Sequence, residues 1–109
     1  MSNPGKEQED QYDLGVSVAE SRPEVKKPPL FKVVLLNDDY TPMEFVILVL
    51  QHFFAMSRET AVRVMLSVHT QGKGVCGVFN KEIAETKVVR VNEFSREHAH
   101  PLLCQMEEA

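Results

Sequence analysis

The last three quarters of the chain alternate between short apolar runs and segments in which apolar residues recur every three to four positions. Residues 31–36 form a short apolar run rich in β-branched side chains, which is typical of a strand. Residues 74–79 and 102–106 are also predicted to be strands. Two glycines in the middle run, Gly74 and Gly77, indicate a bulge or a close approach by another segment. The pattern therefore predicts three short strands.

Between these strands, apolar residues recur every three to four positions, which predicts three amphipathic helices. Ser57 is expected to start the second helix, Gly72 to end it, and Asn80 to cap the third. The predicted apolar faces contain positions 43, 46, 47, 50, 53 and 54 in the first helix, Ala61, Val64, Met65 and Val68 in the second, and Ile83, Ala84, Val88, Val91, Phe94 and Ser95 in the third.

A capping-box sequence precedes the first helix. Thr41 is expected to cap it, Pro42 to occupy its first position, and Glu44 to complete the box. The resulting order of elements is βααβαβ. It predicts an α+β fold, in which a small three-stranded antiparallel sheet packs against three helices.

The chain divides by composition near residue 29. Residues 1–29 contain ten charged residues and few apolar ones, so they cannot bury enough surface to offset the entropy of ordering. We expect a disordered arm over 1–29 and a folded domain over 30–109. The simplest role for such an arm is to solubilise the chain.

Composition narrows the function classes. Among 109 residues, 12 are basic and 16 acidic, and the net charge of −4 argues against binding to a nucleic-acid backbone. The sequence shows neither a secretory signal nor an apolar run of the ~20 residues that a membrane span needs. Cys76 and Cys104 form no disulfide framework and suit small buried positions in a reducing compartment. We therefore expect a cytoplasmic protein.

Polar side chains gather where the first strand meets the first helix. Asn37, Asp38 and Asp39 are too few oxygen donors for a calcium cage, but they suit an ammonium group with one further acceptor. His69, at the end of an apolar helical stripe, is a candidate for that acceptor. Candidates for an apolar recess beside this group are Met43, Met65, Val68 and Leu102.

Other interpretations of the same residues remain open. The polar triplet could simply stabilise a turn, and His69 could be a boundary residue bonded to backbone. A small hydrolase using Asp38 and His69 is a further alternative, although no serine, cysteine or metal-ligand set accompanies them. The spacing of His98, His100 and Cys104 fits no zinc pattern. A phosphate-binding glycine loop is also absent, which argues against nucleotide binding. We therefore expect no metal and no cofactor.

The motifs themselves resemble a known family. Residues 35–46 read LLNDDYTPMEFV, residues 65–69 read MLSVH, residues 76–79 read CGVF and residues 100–104 read HPLLC. Together they are similar to ClpS, the N-degron adaptor of the bacterial Clp protease, across residues 30–109. An alternative assignment with a similar βααβαβ order of elements is the C-terminal domain of the ribosomal stalk protein. That domain is an interaction module, in which the cluster of hydrogen-bond acceptors would have no function.

The resemblance implies a non-enzymatic adaptor. ClpS proteins bind substrates whose first residue is Leu, Phe, Tyr or Trp and pass them to the ClpA unfoldase, which feeds the ClpP peptidase. Protein substrates and a ClpA-type unfoldase are then the expected partners, with no nucleic acid or membrane, and a monomer is the expected state. The arm would engage the unfoldase during delivery.

The resemblance also implies residue roles. Asn37, Asp39 and His69 would bind the substrate's α-amino group, and Asp38, beside them, would hold the peptide backbone. Met43 would act as a gate restricting β-branched first residues. The implied hydrophobic pocket consists of Leu35, Leu36, Thr41, Met43, Val46, Met65, Val68 and Leu102. Glu82 and Lys87, at the start of the third helix, would dock the unfoldase.

Overall fold

The computed structural model describes residues 27–109, and its elements follow the predicted order. They are β1 (Leu30–Leu36), α1 (Met43–Phe54), α2 (Arg58–Gln71), β2 (Lys73–Asn80), α3 (Lys81–Glu97) and β3 (Leu103–Glu108). The predicted α+β class, with one three-stranded antiparallel sheet, is confirmed. The arm predicted over 1–29 lies, up to residue 26, outside the described residues, and the domain boundary at residue 30 stays a prediction.

The central strand is β1, which pairs with β2 on one side and β3 on the other. Val33 lies opposite Gly77, whereas the next residue, Val34, lies opposite Val75. Cys76 is therefore an extra residue in β2, and it forms the β-bulge that the glycines predicted.

Gly74 is required by the close approach of β2 to α2. A Cβ atom on Gly74 would lie 2.7 Å from Cγ2 of Val68 and 3.1 Å from the carbonyl oxygen of Val64. Both distances are shorter than the usual separation of non-bonded atoms. The close approach expected from this glycine is thus also present.

Alternate residues of β1 face opposite sides of the sheet. Val33 and Leu35 are fully buried in the hydrophobic core with helix residues such as Leu50 and Val91. Val34 is also fully buried, but by strand alternation it faces the other side.

No helix of the described chain is both long and apolar enough to cross a membrane.

The side of the sheet that Val34 faces is crossed by an ion pair. Lys73 on β2 lies opposite Leu36, and Glu107 on β3 lies opposite Lys32. The Nζ atom of Lys73 is 2.6 Å from Oε2 of Glu107, so the two outer strands are linked across β1.

Three predicted helix ends are confirmed. The Ser57 hydroxyl accepts a hydrogen bond from the Thr60 N–H at 3.2 Å, and the Asn80 side chain accepts one from the Ile83 N–H at 2.9 Å. Gly72 ends α2 with a φ of 92°, a left-handed conformation that glycine adopts without steric cost.

The predicted capping box at the start of α1 is wrong. Pro42 is the N-cap residue, and no side chain caps the helix. The Thr41 hydroxyl donates to Asp38 Oδ2 at 2.8 Å and accepts no bond from the helix start, and Glu44 pairs with Arg58 at 2.8 Å instead of returning to the helix start. Two stronger partners, a carboxylate and a guanidinium, therefore compete successfully for the two members of the box.

The predicted helix faces need correction as well. Met43 and Ile83, which were placed on apolar faces, are exposed, while Phe45 and Val49 are buried although the predicted stripe omitted them. The reason is that α1 packs against both α2 and α3, so its buried face is wider than one stripe. The Phe45 ring stacks on Phe94 of α3 at 5.4 Å between centroids.

The outer edge of β3 is covered by a side chain of α3. The amide of Asn92 donates to the carbonyl oxygen of Cys104 at 3.0 Å and accepts from the N–H of Cys104 at 2.8 Å. These two bonds imitate the pairing of another strand. They fix the strand that follows Leu102 against α3. The predicted start of β3 at residue 102 is one residue early.

Candidate binding site

A cavity of about 210 Å³ lies where the end of β1, the start of α1, the end of α2 and the segment before β3 converge. Its lining joins a polar side to an apolar side. The residues around it are Leu36, Asn37, Asp38, Asp39, Thr41, Met43, Val46, Met65, Val68, His69 and Leu102.

Sheet register brings the polar residues together. Leu36, the last residue of β1, pairs with Lys73, the first residue of β2, and the Asn37 N–H donates to the Gly72 carbonyl at 2.9 Å. The loop after β1 is thereby attached to the C-terminal end of α2, where His69 lies in the last helical turn. Asn37 and His69 are both exposed at the cavity, so their polar atoms are accessible to a ligand.

Asp38 organises the loop. Its Oδ1 atom accepts from the N–H groups of Tyr40 at 2.8 Å and Thr41 at 2.7 Å, while Oδ2 accepts from the Thr41 hydroxyl. Partial burial acts to raise the pKa of this carboxyl. The bonds from Thr41 and Tyr40, together with the charge of His100, outweigh burial and hold the pKa below its ordinary value. Asp38 is therefore a carboxylate whose oxygens already have partners, whereas Asp39 is exposed.

The apolar side of the cavity is built from core residues. Val46, Met65, Val68 and Leu102 are each 6% exposed or less, and they come from α1, α2 and the segment before β3. Met43 differs because it is 45% exposed, which places it at the solvent side of the lining. A ligand of this cavity would thus meet hydrogen-bond acceptors on one side and dry aliphatic surface on the other.

The residues predicted to bind the α-amino group or to form the hydrophobic pocket all line the cavity, with one exception. The exception is Leu35, which is fully buried in the core and does not line the cavity. Leu35 packs in the same core cluster as Val46, Met65 and Val68, so it supports the apolar lining without reaching the cavity. The binding role of each residue stays a prediction.

Comparison with known proteins assigns the family. A family model described as ATP-dependent Clp protease adaptor protein ClpS matches residues 26–105, which is most of the chain. The chain belongs to the ClpS family.

Individual ClpS relatives agree along almost their whole length. The ATP-dependent Clp protease adapter protein ClpS of Alkalilimnicola ehrlichii is 60% identical over 100 residues, covering 92% of this chain and 94% of that protein. The one from Methylococcus capsulatus is 62% identical over 95 residues, covering 87% and 90%. A solved structure of Agrobacterium tumefaciens ClpS2 bound to L-phenylalaninamide is 44% identical, with a TM-score of 0.74, and covers 76% of this chain and 100% of that one.

The two residues predicted to dock the unfoldase in this ClpS-family chain lie at a second recess, of about 580 Å³. Glu82 and Lys87 contribute to it from α3. The other residues around it are His52, Phe53, Ile83, Thr86 and Arg90. Sequence reasoning missed this wider set. The signal was an exposed stripe at helical spacing, in which Ile83 and Lys87, and likewise Thr86 and Arg90, are four residues apart.

Lys87 also has a structural role. Its Nζ atom donates to the Phe53 carbonyl oxygen at 2.6 Å, near the end of α1, where unpaired carbonyl groups favour a cation. The same atom lies over the rings of Phe54 at 5.5 Å and Phe79 at 5.8 Å. A substitution of Lys87 would therefore disturb the packing of α1 on α3 as well as the recess.

Nucleophilic and metal chemistry have little support in the described part of the chain. Burial raises the pKa of the Cys104 thiol to about 12, and burial together with Cys104 raises that of Cys76 further. Both thiols are thus protonated at neutral pH and poor nucleophiles. Over residues 27–109, no three His, Cys, Asp or Glu side chains form a group that could hold a metal ion.

Proposed function

We propose that this chain binds the free α-amino group and the bulky first side chain of proteins that begin with Leu, Phe, Tyr or Trp, and delivers them to a ClpA-type unfoldase. The observation that carries the proposal is the two-sided cavity. It combines exposed acceptors at Asn37, Asp39 and His69 with an almost fully buried aliphatic lining.

The acceptors suit an ammonium group. An α-amino group has a pKa of ~7.7–8.0 and is therefore mostly protonated at neutral pH, so it presents three N–H donors and no acceptor. The Asn37 amide oxygen, the Asp39 carboxylate and an unprotonated ring nitrogen of His69 can each accept one of these bonds. Asp38 contributes chiefly by shaping the loop, because its own oxygens are bonded to Tyr40 and Thr41.

The magnitudes show why the polar half of the cavity is needed. Burying one large aliphatic or aromatic side chain is worth about 1.5–3 kcal/mol, and a hydrogen bond to a charged group about 1.5–3 kcal/mol. The apolar contribution alone is smaller than the entropic cost of association, which is at least about 4 kcal/mol. Blocking the amine should therefore remove useful binding even though the apolar contact remains.

The ligand of the related Agrobacterium tumefaciens ClpS2 structure supports the same chemistry. L-phenylalaninamide carries a free α-amino group, an aromatic side chain and an amide in place of the next peptide bond. A protein substrate beginning with Phe presents the same three features to the cavity.

The delivery step rests on the adaptor family and on the second recess. Glu82 and Lys87 are proposed to contact the unfoldase there, while the peptidase is supplied by the Clp protease. The chain itself is proposed to be a cytoplasmic monomer that turns over no substrate and needs no cofactor.

Fluorescence anisotropy tests the recognition step. A labelled peptide beginning with Leu or Phe is titrated beside its N-acetylated twin, using the wild type, His69→Ala and His98→Ala. His98 is an exposed histidine that does not line the cavity, so it is the matched control. We expect tight binding of the free peptide, loss on acetylation, weakening in His69→Ala and no change in His98→Ala. Equal binding of the two peptides would contradict amine recognition.

A further inference from the structure

One corner of the sheet surface is apolar and exposed. Leu30 at the start of β1 is 51% exposed, and Val75 and Val78 on β2 are 45% and 49% exposed. Val75 lies opposite Val34, and the extra residue Cys76 brings Val78 back to the same side as Val75. Leu30 is also on this side, because it is four residues before Val34 in the same strand. We call Leu30, Val75 and Val78 the sheet patch.

The described helices leave the sheet patch uncovered. They pack on the other side of the sheet, where Val33 and Leu35 join helix residues in the hydrophobic core. Single exposed apolar side chains are normal on a protein surface, whereas a group of neighbouring ones marks a contact surface. The sheet patch therefore suits a further segment of chain.

Lysines border the sheet patch. Lys32 lies opposite Val78, and Lys73 lies on β2 two residues before Val75. Glu107 is the acidic strand residue on this side, and it is already paired with Lys73. A second copy of the chain docked face to face would bring two lysine-bearing surfaces together. An acidic segment with an apolar side would instead complement the patch.

The arm contains one segment of that kind. Tyr12, Leu14, Val16 and Val18 occupy alternate positions, a pattern typical of a half-buried strand. Residues 7–20 include five acidic residues and no basic one. The few apolar side chains of the arm are thus concentrated on one side of an acidic stretch.

The connection to the domain places this segment within reach of the patch. Residues 19–29 join it to Leu30, which is itself part of the sheet patch. These eleven residues span at most about 36–40 Å when extended, whereas the sheet is only about 10 Å across and about 23 Å long. The segment is therefore held near the patch at an effective concentration in the millimolar range. This tethering makes up for affinity that a few apolar side chains could not supply between separate molecules.

We propose that the sheet patch binds residues 12–18 of the chain's own arm, whose apolar side chains cover the patch while the neighbouring acidic residues face Lys32 and Lys73. The proposal goes beyond the proposed function and does not depend on it, because the sheet patch shares no residue with the cavity or the second recess.

Paramagnetic relaxation on the full chain tests the proposal. A nitroxide is attached to Ser17→Cys, because Ser17 lies on the polar side of the alternation and both natural cysteines are buried. We expect the amide signals of Val75 and Val78 to be lost. The signal of Val89, which is exposed on the outer side of α3, should be retained.

Two variants of the labelled chain test the contact itself. Leu14→Ser combined with Val16→Ser removes the centre of the apolar side and should restore the lost signals. Val25→Ser, which changes an arm residue outside the segment, should not restore them. On the domain, Val75→Thr combined with Val78→Thr keeps the branched shape that suits a strand and should also restore the signals at both positions.

A mixed sample separates the chain's own arm from that of another molecule. Nitroxide-labelled chains are mixed with isotope-labelled chains that carry no nitroxide, and the latter should keep all their signals. Loss in the mixture would mean that another copy of the chain covers the patch, which overturns the proposal. Retention of the signals at positions 75 and 78 in the labelled chain, equal loss at position 89, or loss that persists in Leu14→Ser with Val16→Ser would overturn it as well.

Discussion

Gly74 offers a test of how tightly the sheet supports the cavity. In Gly74→Ala the new methyl group would lie 2.7 Å from Cγ2 of Val68, about 1 Å short of an ordinary carbon–carbon contact. It cannot retreat, because the Val64 carbonyl oxygen lies 3.1 Å away. Val68 is 3% exposed and short, so it has little room to move.

The expected magnitude is that of overpacking a dense core, about 1–3 kcal/mol. Gly77→Ala is the matched control in the same strand. Its new Cβ would also meet an atom at 2.7 Å, but that atom is Cζ of Phe79, the far end of a half-buried side chain that can swing away. Neither glycine has a positive φ, so alanine itself causes no backbone strain at either position.

Urea unfolding followed by circular dichroism measures the difference. With a slope near ~1 kcal/mol per M, as expected for a small domain, Gly74→Ala should lower the midpoint by about 1–3 M. Gly77→Ala should move it by at most about 0.5 M, because the unfolded chain also loses entropy when glycine is replaced. Adding Val68→Ala to Gly74→Ala should cost less than the sum of the two single changes. Equal midpoints for the two glycine variants, or strict additivity with Val68→Ala, would refute the steric argument.

Two further predictions concern hydrogen bonds outside the core. Asn92→Ala leaves the N–H and carbonyl of Cys104 without their partner, and we expect a loss of about 1–3 kcal/mol in the free energy of unfolding; a urea midpoint equal to that of the wild type would contradict it. For Asp38, the lowered pKa means that its ionised form stabilises the fold fully above the unfolded value of ~3.9, and that this contribution is lost as the pH falls through the folded value. Because the carboxyl is only partly buried, the deficit of Asp38→Asn at neutral pH should be about 1 kcal/mol or less. In urea titrations this deficit should shrink below about pH 4, and a deficit independent of pH would refute the charge argument.

Local signals account for much of the fold. Ser57, Gly72 and Asn80 were predicted correctly because a cap or a left-handed turn depends on a few neighbouring atoms. The cap at Thr41 was predicted wrongly. Its hydroxyl could either cap α1 or bond to the Asp38 carboxylate three residues before it, and it bonds to Asp38. The buried position of Phe45 depends on its stack with Phe94, which no local period reveals.

The candidate site was predictable to a different degree. The residues alone suggested the polar triplet, His69 and four apolar neighbours, and the resemblance to ClpS implied the rest. What the pattern could not supply is the register that pairs Leu36 with Lys73 and so attaches the loop to the end of α2. The resemblance also named Leu35, which the structure buries in the core beside the lining residues and not at the cavity surface.

Helix α1 separates the two sites that we propose for the substrate and the unfoldase. Met43 and Val46 near its start line the cavity, whereas His52 and Phe53 near its end line the second recess, and the two linings have no residue in common. At 1.5 Å per residue, these pairs are about 10–15 Å apart along the helix axis. A substrate and an unfoldase at the proposed sites would therefore not compete for the same residues, which permits both to be bound at once. The substrate would then be held near the unfoldase at an effective concentration in the millimolar range. Even brief binding of its amino-terminal residue would therefore suffice for transfer.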